Sequence, residues 1–169
     1  MCKWYIYGAG GLGLETMDLL IGSTDDNDSQ SNEFAFLVDS PTASKINGYQ
    51  VVAWDDCDPN AKVTIAVGEP ELRANLAKKC EVKGLTLSSI ISPEAFVSAS
   101  AFVGDGVIVA PFASVQANAY LASNVAVNTQ AIIGHHVSVM NSAVISSQVN
   151  LGGASKVGEK SYIGMGALV

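Results

Sequence analysis

From Val97 onward every sixth residue is aliphatic: Val97, Val103, Val109, Val115, Leu121, Val127, Ile133, Val139, Ile145, Leu151, Val157, Ile163 and Val169. Two places before each of these, from Ala101 to Ala167, stand only Ala, Val or Ser. Residues two apart in an extended chain share a face, so each hexad offers one small and one branched side chain to a common interior. The pairs between them, among them "DG", "AN", "SN", "TQ", "HH" and "NS", are mostly turn residues. A period of six suits neither a helix nor a hairpin, and a unit this short buries nothing until it is stacked. Three hexads per turn make a triangular coil of parallel strands. Val97 to Leu168 supply four coils, and Ile91 begins a fraction of another.

The first half follows a different pattern. "KWYIY" reads as a strand, "LGLETMDLLIG" as a helix ending at Gly22, and "STDDNDSQSN" as a polar loop. "EFAFLVD" is a second strand, "INGYQVV" a turn entering a short strand and "KVTIAVG" a buried strand. "PELRANLAKKCEVKG" is a helix with proline in its first turn and glycine past its end. The alternation predicts a small parallel α/β sheet over residues 1–87, followed by a β-solenoid over 88–169.

Composition narrows the class of partner. The formal net charge of -7 disfavours nucleic acid and anionic membrane surfaces, and points to a small molecule. Cys2, Cys57 and Cys80 are scattered, with no metal-ligand or disulfide spacing, so a reducing compartment and no metal are expected. "MCKWYIYGAGG" lacks the long apolar segment of a signal peptide, and no run of about 20 apolar residues occurs, so a cytoplasmic protein without a membrane span is expected. No Asp, Glu, Lys or Arg falls between Gly106 and Ser155, and the charged fraction is only 15%. A well-solvated surface carries about 25 to 35%. Burial between subunits accounts for the difference. Ile108, Ala126, Val144 and Tyr162, one coil apart and outward by parity, form the candidate interface stripe.

Two clusters carry candidate chemistry. "GAGGLG" sets Gly8, Gly10 and Gly13 in G-x-G-x-x-G spacing between a strand and a helix, where backbone N–H groups can approach a phosphate at the helix N-terminus. Asp39, ending the second strand, is placed to accept from a ribose. A dinucleotide fold needs two mononucleotide halves, so this short segment fits a single nucleotide better than NAD. His135 and His136, the two histidines of the chain, fall on a coil corner and project outward. Ala117 and Gly153, one coil below and above His135, leave a groove beside its ring.

The order "YGAGGLG", "VD", "AVGEPELR", "SIISPEAFVSASAFVGDGVIVAPFASV" and "VNTQAIIGHHVSV" resembles the NeuD/PglD-like sugar acetyltransferases of the hexapeptide-repeat class. The resemblance implies a Rossmann-like nucleotide-sugar-binding domain over 1–87 and a left-handed parallel β-helix over 88–169. It also implies a homotrimer with its site between neighbouring subunits, acetyl-CoA as cosubstrate, and a UDP-linked 4-amino sugar or a sialic-acid-like sugar as acceptor. By the same resemblance His135 matches the general base, Asn128 a sugar contact and Gly153 a backbone contact to acetyl-CoA. Gly8, Gly10, Gly11, Gly13, Asp39 and Gly68 match the nucleotide-sugar site. Three departures stand out: Leu12 replaces a loop histidine, His136 replaces the acid that follows the base, and the family's coils continue past residue 169. The alternative reading is a trimeric nucleotide-sugar-binding protein that is catalytically weak or silent because its C-terminal coils are truncated.

Overall fold

The computed structural model describes residues 2–23 and 32–169; most of the polar stretch expected as a loop lies outside these. Strand β1 (Cys2–Tyr7) is flanked in the sheet by β2 (Asn32–Val38) and β5 (Lys62–Ile65). With β3 (Lys45–Ile46), β4 (Tyr49–Ala53) and β6 (Thr86–Leu87) they form a six-stranded sheet in the order β3-β4-β2-β1-β5-β6. All neighbours are parallel except β3 and β4, an antiparallel hairpin. Its turn needs two left-handed residues, which Asn47 and Gly48 supply with φ of 49° and 87°. The sequence reading saw this turn and one strand after it, but not the two-residue strand before it.

Helix α1 (Gly11–Gly22) and helix α2 (Pro70–Lys83) cover opposite faces of the sheet. Met17 and Leu20 of α1 pack with Ile6 and Phe36; Leu76 and Cys80 of α2 pack with Tyr5, Leu37, Val63 and Ile65. Alternate residues of the same strands serve the two helices, as the pleat requires. Pro70 opens α2, and the Glu69 carboxylate caps it by accepting from the N–H groups of Glu71 and Leu72 at 3.0 and 2.5 Å. Gly84, at φ 93°, ends it in the left-handed conformation.

The second half is a triangular prism of two-residue strands. Its first face stacks β7 (Ile90–Ile91), β10 (Ile108–Val109), β13 (Ala126–Val127), β16 (Val144–Ile145) and β19 (Tyr162–Ile163). The second stacks β8 (Phe96–Val97), β11 (Ser114–Val115), β14 (Ile132–Ile133) and β17 (Asn150–Leu151). The third stacks β9 (Phe102–Val103), β12 (Tyr120–Leu121), β15 (Ser138–Val139) and β18 (Lys156–Val157). Every pairing is parallel with an 18-residue register, such as Val109 against Val127 and Val127 against Ile145. The hexad aliphatics and their small partners, from Val107 to Val157, fill one interior column.

The corners repeat as strictly as the core. Phe112, Asn118, Asn124, Gln130, His136, Ser142, Gln148, Ala154 and Lys160, six apart, all have φ between 53° and 63°. Asn tolerates this conformation; a bulky residue does so at a cost of roughly 1 kcal/mol. Phe112, at φ 60° and largely exposed, is the least suited of the set. Phe112→Asn is therefore expected to raise stability by about 0.5–1 kcal/mol, read as a higher urea midpoint with an unchanged slope.

One sequence expectation is corrected. Ile108, Ala126 and Val144 do not form an open interface stripe: they are buried within the chain, with Leu19 of α1 packed on them. Only Tyr162 of that stripe stays exposed. The α/β half thus sits on the first face of the prism. Its grip extends to the corner before that face, where Arg73 Nε donates to Asn124 O at 2.6 Å and Lys160 Nζ bonds Glu71 Oε2 at 3.0 Å. Parity identified outward residues correctly, but it cannot distinguish a neighbouring subunit from the chain's own helix as the cover.

Candidate functional site

His135 and His136 project from the corner between the second and third faces, stacked between Ala117–Asn118 below and Gly153–Ala154 above. The stacking follows from the backbone: His136 N–H donates to Ala117 O at 3.0 Å, and Ala154 N–H to His135 O at 2.9 Å. The His135 ring lies directly against Gly153, where an added Cβ would come within 2.4 Å of Cε1 and 2.5 Å of Nε2. Glycine is needed there because the imidazole occupies the space of a side chain. The two rings meet edge to face, at 84° with centroids 5.4 Å apart, and their Nδ1 atoms are 3.1 Å apart. His136 Nε2 in turn lies 3.2 Å from Asn118 Nδ2. Sequence reasoning missed Asn118; its one available signal was its place one coil below His136.

The glycine-rich turn lies at the carboxyl ends of β1 and β5. Gly8 adopts φ 113°, and a Cβ on it would meet Ala66 O at 2.8 Å; a Cβ on Gly13 would meet Gly8 O at 2.2 Å. These two glycines are required by close packing of turn, helix and strand. Gly10, Gly11 and Gly68 face open space, so their backbone can be approached by a ligand. Gly10 is the N-cap of α1 and supplies no side-chain cap, which leaves the first N–H groups of the helix without a side-chain acceptor.

Asp39 stands at the end of β2 beside this turn, but one carboxylate oxygen is already engaged. Asp39 Oδ1 accepts from Tyr7 Oη at 2.8 Å and from Lys79 Nζ. The Lys79 bond holds the carboxyl below the usual Asp range. Lys79 Nζ also lies 4.1 Å from the centroid of the Trp54 ring, which stacks on Tyr7. Burial and the adjacent Asp39 push the Tyr7 phenol well above its ordinary value, so Tyr7 stays a donor.

A cavity of about 430 Å³ opens between α1 and the prism. Leu12, Glu15, Thr16 and Leu19 form its helical wall, and Pro111, Asn128 and Thr129 its prism wall. The structure therefore joins Asn128 to the helix that follows the glycine turn. Asn128 and His135, seven residues apart in sequence, lie on two different edges of the prism, separated by the second face.

The fold matches the acetyltransferase domain of PglB from Neisseria gonorrhoeae FA1090 at 31% identity and a TM-score of 0.88, covering 99% of this chain and 82% of that one. This chain belongs to the hexapeptide-repeat sugar acetyltransferase family of NeuD/PglD type. The same PglB domain in complex with acetyl coenzyme A matches with a TM-score of 0.87 and 31% identity, covering 98% of this chain and 80% of that one. A histidine-to-asparagine mutant of perosamine N-acetyltransferase from Caulobacter crescentus, in complex with CoA and GDP-perosamine, shares the fold at 24% identity and a TM-score of 0.87, covering 99% and 80% of the two chains. GDP-perosamine N-acetyltransferase of Escherichia coli O157:H7 is 23% identical over 121 residues, 69% of this chain. That match spans about half, 54%, of the curated relative's length. No family profile matches the chain. Parallel sheets stacked in a prism fit the left-handed β-helix of this family. Among the described residues no helix is long and apolar enough to cross a membrane.

Proposed function

We propose that the chain is an acetyl-CoA-dependent N-acetyltransferase acting on a nucleotide-linked amino sugar, with His135 as general base. The observation that carries this reading is the corner itself. The His135 ring is laid against Gly153 with Nδ1 turned to a hydrogen-bonding partner, while Nε2 has no hydrogen bond among the described residues. A neutral imidazole with one free nitrogen suits proton removal near neutral pH. The amine nitrogen attacks the thioester carbonyl, its surplus proton passes to His135 Nε2, and the C–S bond breaks as the amide forms. The departing sulfur then takes a proton to leave as the CoA thiol. Related proteins in complex with acetyl coenzyme A, or with CoA and GDP-perosamine, support this choice of substrates.

The α/β half is read as a Rossmann-like mononucleotide-binding unit. Its parallel strands run β4-β2-β1-β5-β6, five strands in the Rossmann order with the switch point between β1 and β5, and Gly10, Gly11 and Gly68 open at their carboxyl ends. A UDP-linked amino sugar was the expectation from sequence; the GDP-perosamine relatives put guanine nucleotides beside it.

Trimer formation would bring the separated parts together. The α/β half covers one face of the prism, and the His135 edge is the edge opposite that face. A neighbouring copy can therefore set its nucleotide cavity, with Asn128, beside this histidine. Phe96, Phe102 and Tyr120, exposed on the second and third faces, are suited to burial between copies, and Phe102 stacks on Tyr120 at 4.9 Å.

The test is thiol release from acetyl-CoA in the presence of UDP- or GDP-linked amino sugars. Release that depends on the amine supports the reading. No release, with nucleotide-sugar binding retained, would favour a binding protein instead. Gly153→Val is expected to lower kcat/KM by at least about tenfold, since the new side chain must displace the imidazole by roughly 1 Å or more. Steady-state kinetics beside an unchanged circular dichroism spectrum checks it.

A further inference from the structure

We infer that Asn118 is a positioning residue whose side-chain amide, acting through His136, selects which nitrogen of His135 carries the proton. The inference rests on the reading of His135 as general base. It begins from a continuous chain of polar atoms: Asn118 Nδ2 3.2 Å from His136 Nε2, and His136 Nδ1 3.1 Å from His135 Nδ1. The remaining ring nitrogen, His135 Nε2, lies against Gly153.

A neutral imidazole has one N–H donor and one acceptor nitrogen. Two proton arrangements therefore satisfy this chain, and they differ in chemistry. If the amide NH₂ donates to His136 Nε2, His136 carries its proton on Nδ1 and donates it to His135 Nδ1. His135 then holds its own proton on Nε2, where no lone pair is left to accept another. If the amide is turned over, Oδ1 accepts from His136 Nε2–H, and His136 Nδ1 accepts from His135 Nδ1–H. His135 Nε2 is then a free base. The two amide orientations differ only in exchanging oxygen for nitrogen, and the two rings accommodate either by a change of tautomer. The structure has Asn118 Nδ2 toward His136 Nε2, the orientation of the first arrangement; a base at His135 Nε2 requires the second, with the amide turned over, and that is the arrangement inferred for the active protein.

Asparagine fits this place on two counts. It tolerates the left-handed corner at φ 56°, and its amide can accept from an imidazole without introducing a charge. The backbone N–H of Asn118 donates to Ser100 Oγ at 3.1 Å, which ties the corner to the coil below. The stack that faces His136 is Ser100, Asn118, His135, Gly153 and Ala154, none of them a carboxylate or a lysine. Lys156, the nearest charged residue in sequence, stands on the third face. When His135 takes up a proton, His135 Nδ1–H donates to His136, and His136 Nε2–H to Asn118. Neutral dipoles thus stabilise the cation where a carboxylate would otherwise do so.

The test uses the full-length protein labelled with ¹⁵N-histidine. Long-range ¹H–¹⁵N spectra without substrates report the tautomers of His135 and His136, and acetyl transfer is measured separately. Wild type is expected to show His135 with its proton on Nδ1. Asn118→Gly, which keeps the corner conformation, is expected to mix the His135 tautomers and lower kcat about tenfold, with both KM values within about twofold. Asn118→Asp is expected to retain the wild-type tautomer and to move the acid limb of the kcat/KM profile to higher pH, because a carboxylate stabilises the imidazolium. A wild-type His135 protonated on Nε2, or tautomers indifferent to Asn118→Gly, would overturn the inference. The expected tautomers without any acetyl transfer would leave the positioning role standing and remove the proposed function.

Discussion

His135→Ala is expected to abolish most turnover while leaving the fold intact. General-base catalysis contributes about 10²- to 10⁴-fold in rate, and kcat should fall by that order with KM for both substrates little changed. The fold should survive because the ring is held outside the prism, on a corner whose backbone bonds involve His135 O and His136 N–H and not the imidazole. The measurement is kcat at saturating acetyl-CoA beside the thermal midpoint of the same sample. A variant that keeps its midpoint and its rate would remove His135 from the mechanism.

The second large effect is on stability. Arg73, in α2, is wholly buried, donating from Nε to Asn124 O at 2.6 Å and from Nη1 to Ile65 O at 2.5 Å and Val67 O at 3.3 Å. Asn124 returns the contact through Nδ2, to Arg73 O at 3.1 Å and Ser142 Oγ at 3.0 Å. One guanidinium thus joins the end of β5, the loop after it and a prism corner. Burial without a carboxylate pulls it down to about 9, still above neutral pH, so the charge is retained and spread over carbonyl oxygens. Arg73→Met removes the donors while keeping much of the volume. Each buried carbonyl left without a partner costs about 1–3 kcal/mol, so a loss of roughly 3 kcal/mol or more is expected in urea unfolding. Arg73→Lys should not restore it, since an ammonium on a flexible stem cannot reproduce the planar fork. A Met variant as stable as wild type would show that the prism and sheet hold together without this link.

The prism was legible because its constraint is local and repeated. A residue two places from Val127 shares its face whatever the rest of the chain does, and the corner residue six positions on must again turn left-handed. The α/β elements were legible for a related reason: Pro70 and Gly84 bracket a helix, and Asn47-Gly48 a turn. Relations between the halves were not. That Leu19 covers Ile108, Ala126 and Val144 depends on how a helix docks on a prism, which no sequence period encodes. The engagement of Asp39 by Lys79 and Tyr7 joins three elements and was equally hidden. At the corner, the placing of Gly153 over His135 followed from the 18-residue stack, but that the ring itself fills the space beside Gly153 did not. The bridge from His136 to Asn118 needed side-chain directions.

The central claim is that the chain moves an acetyl group from a thioester to a sugar nitrogen. Its most direct test is mass spectrometry of the nucleotide sugar after incubation with acetyl-CoA carrying an isotopically labelled acetyl group. The account predicts one labelled acetyl per sugar, bound to nitrogen and stable to mild base, in equal amount to the thiol released. Thiol release without labelled sugar, or no release from any UDP- or GDP-linked amino sugar, would contradict it.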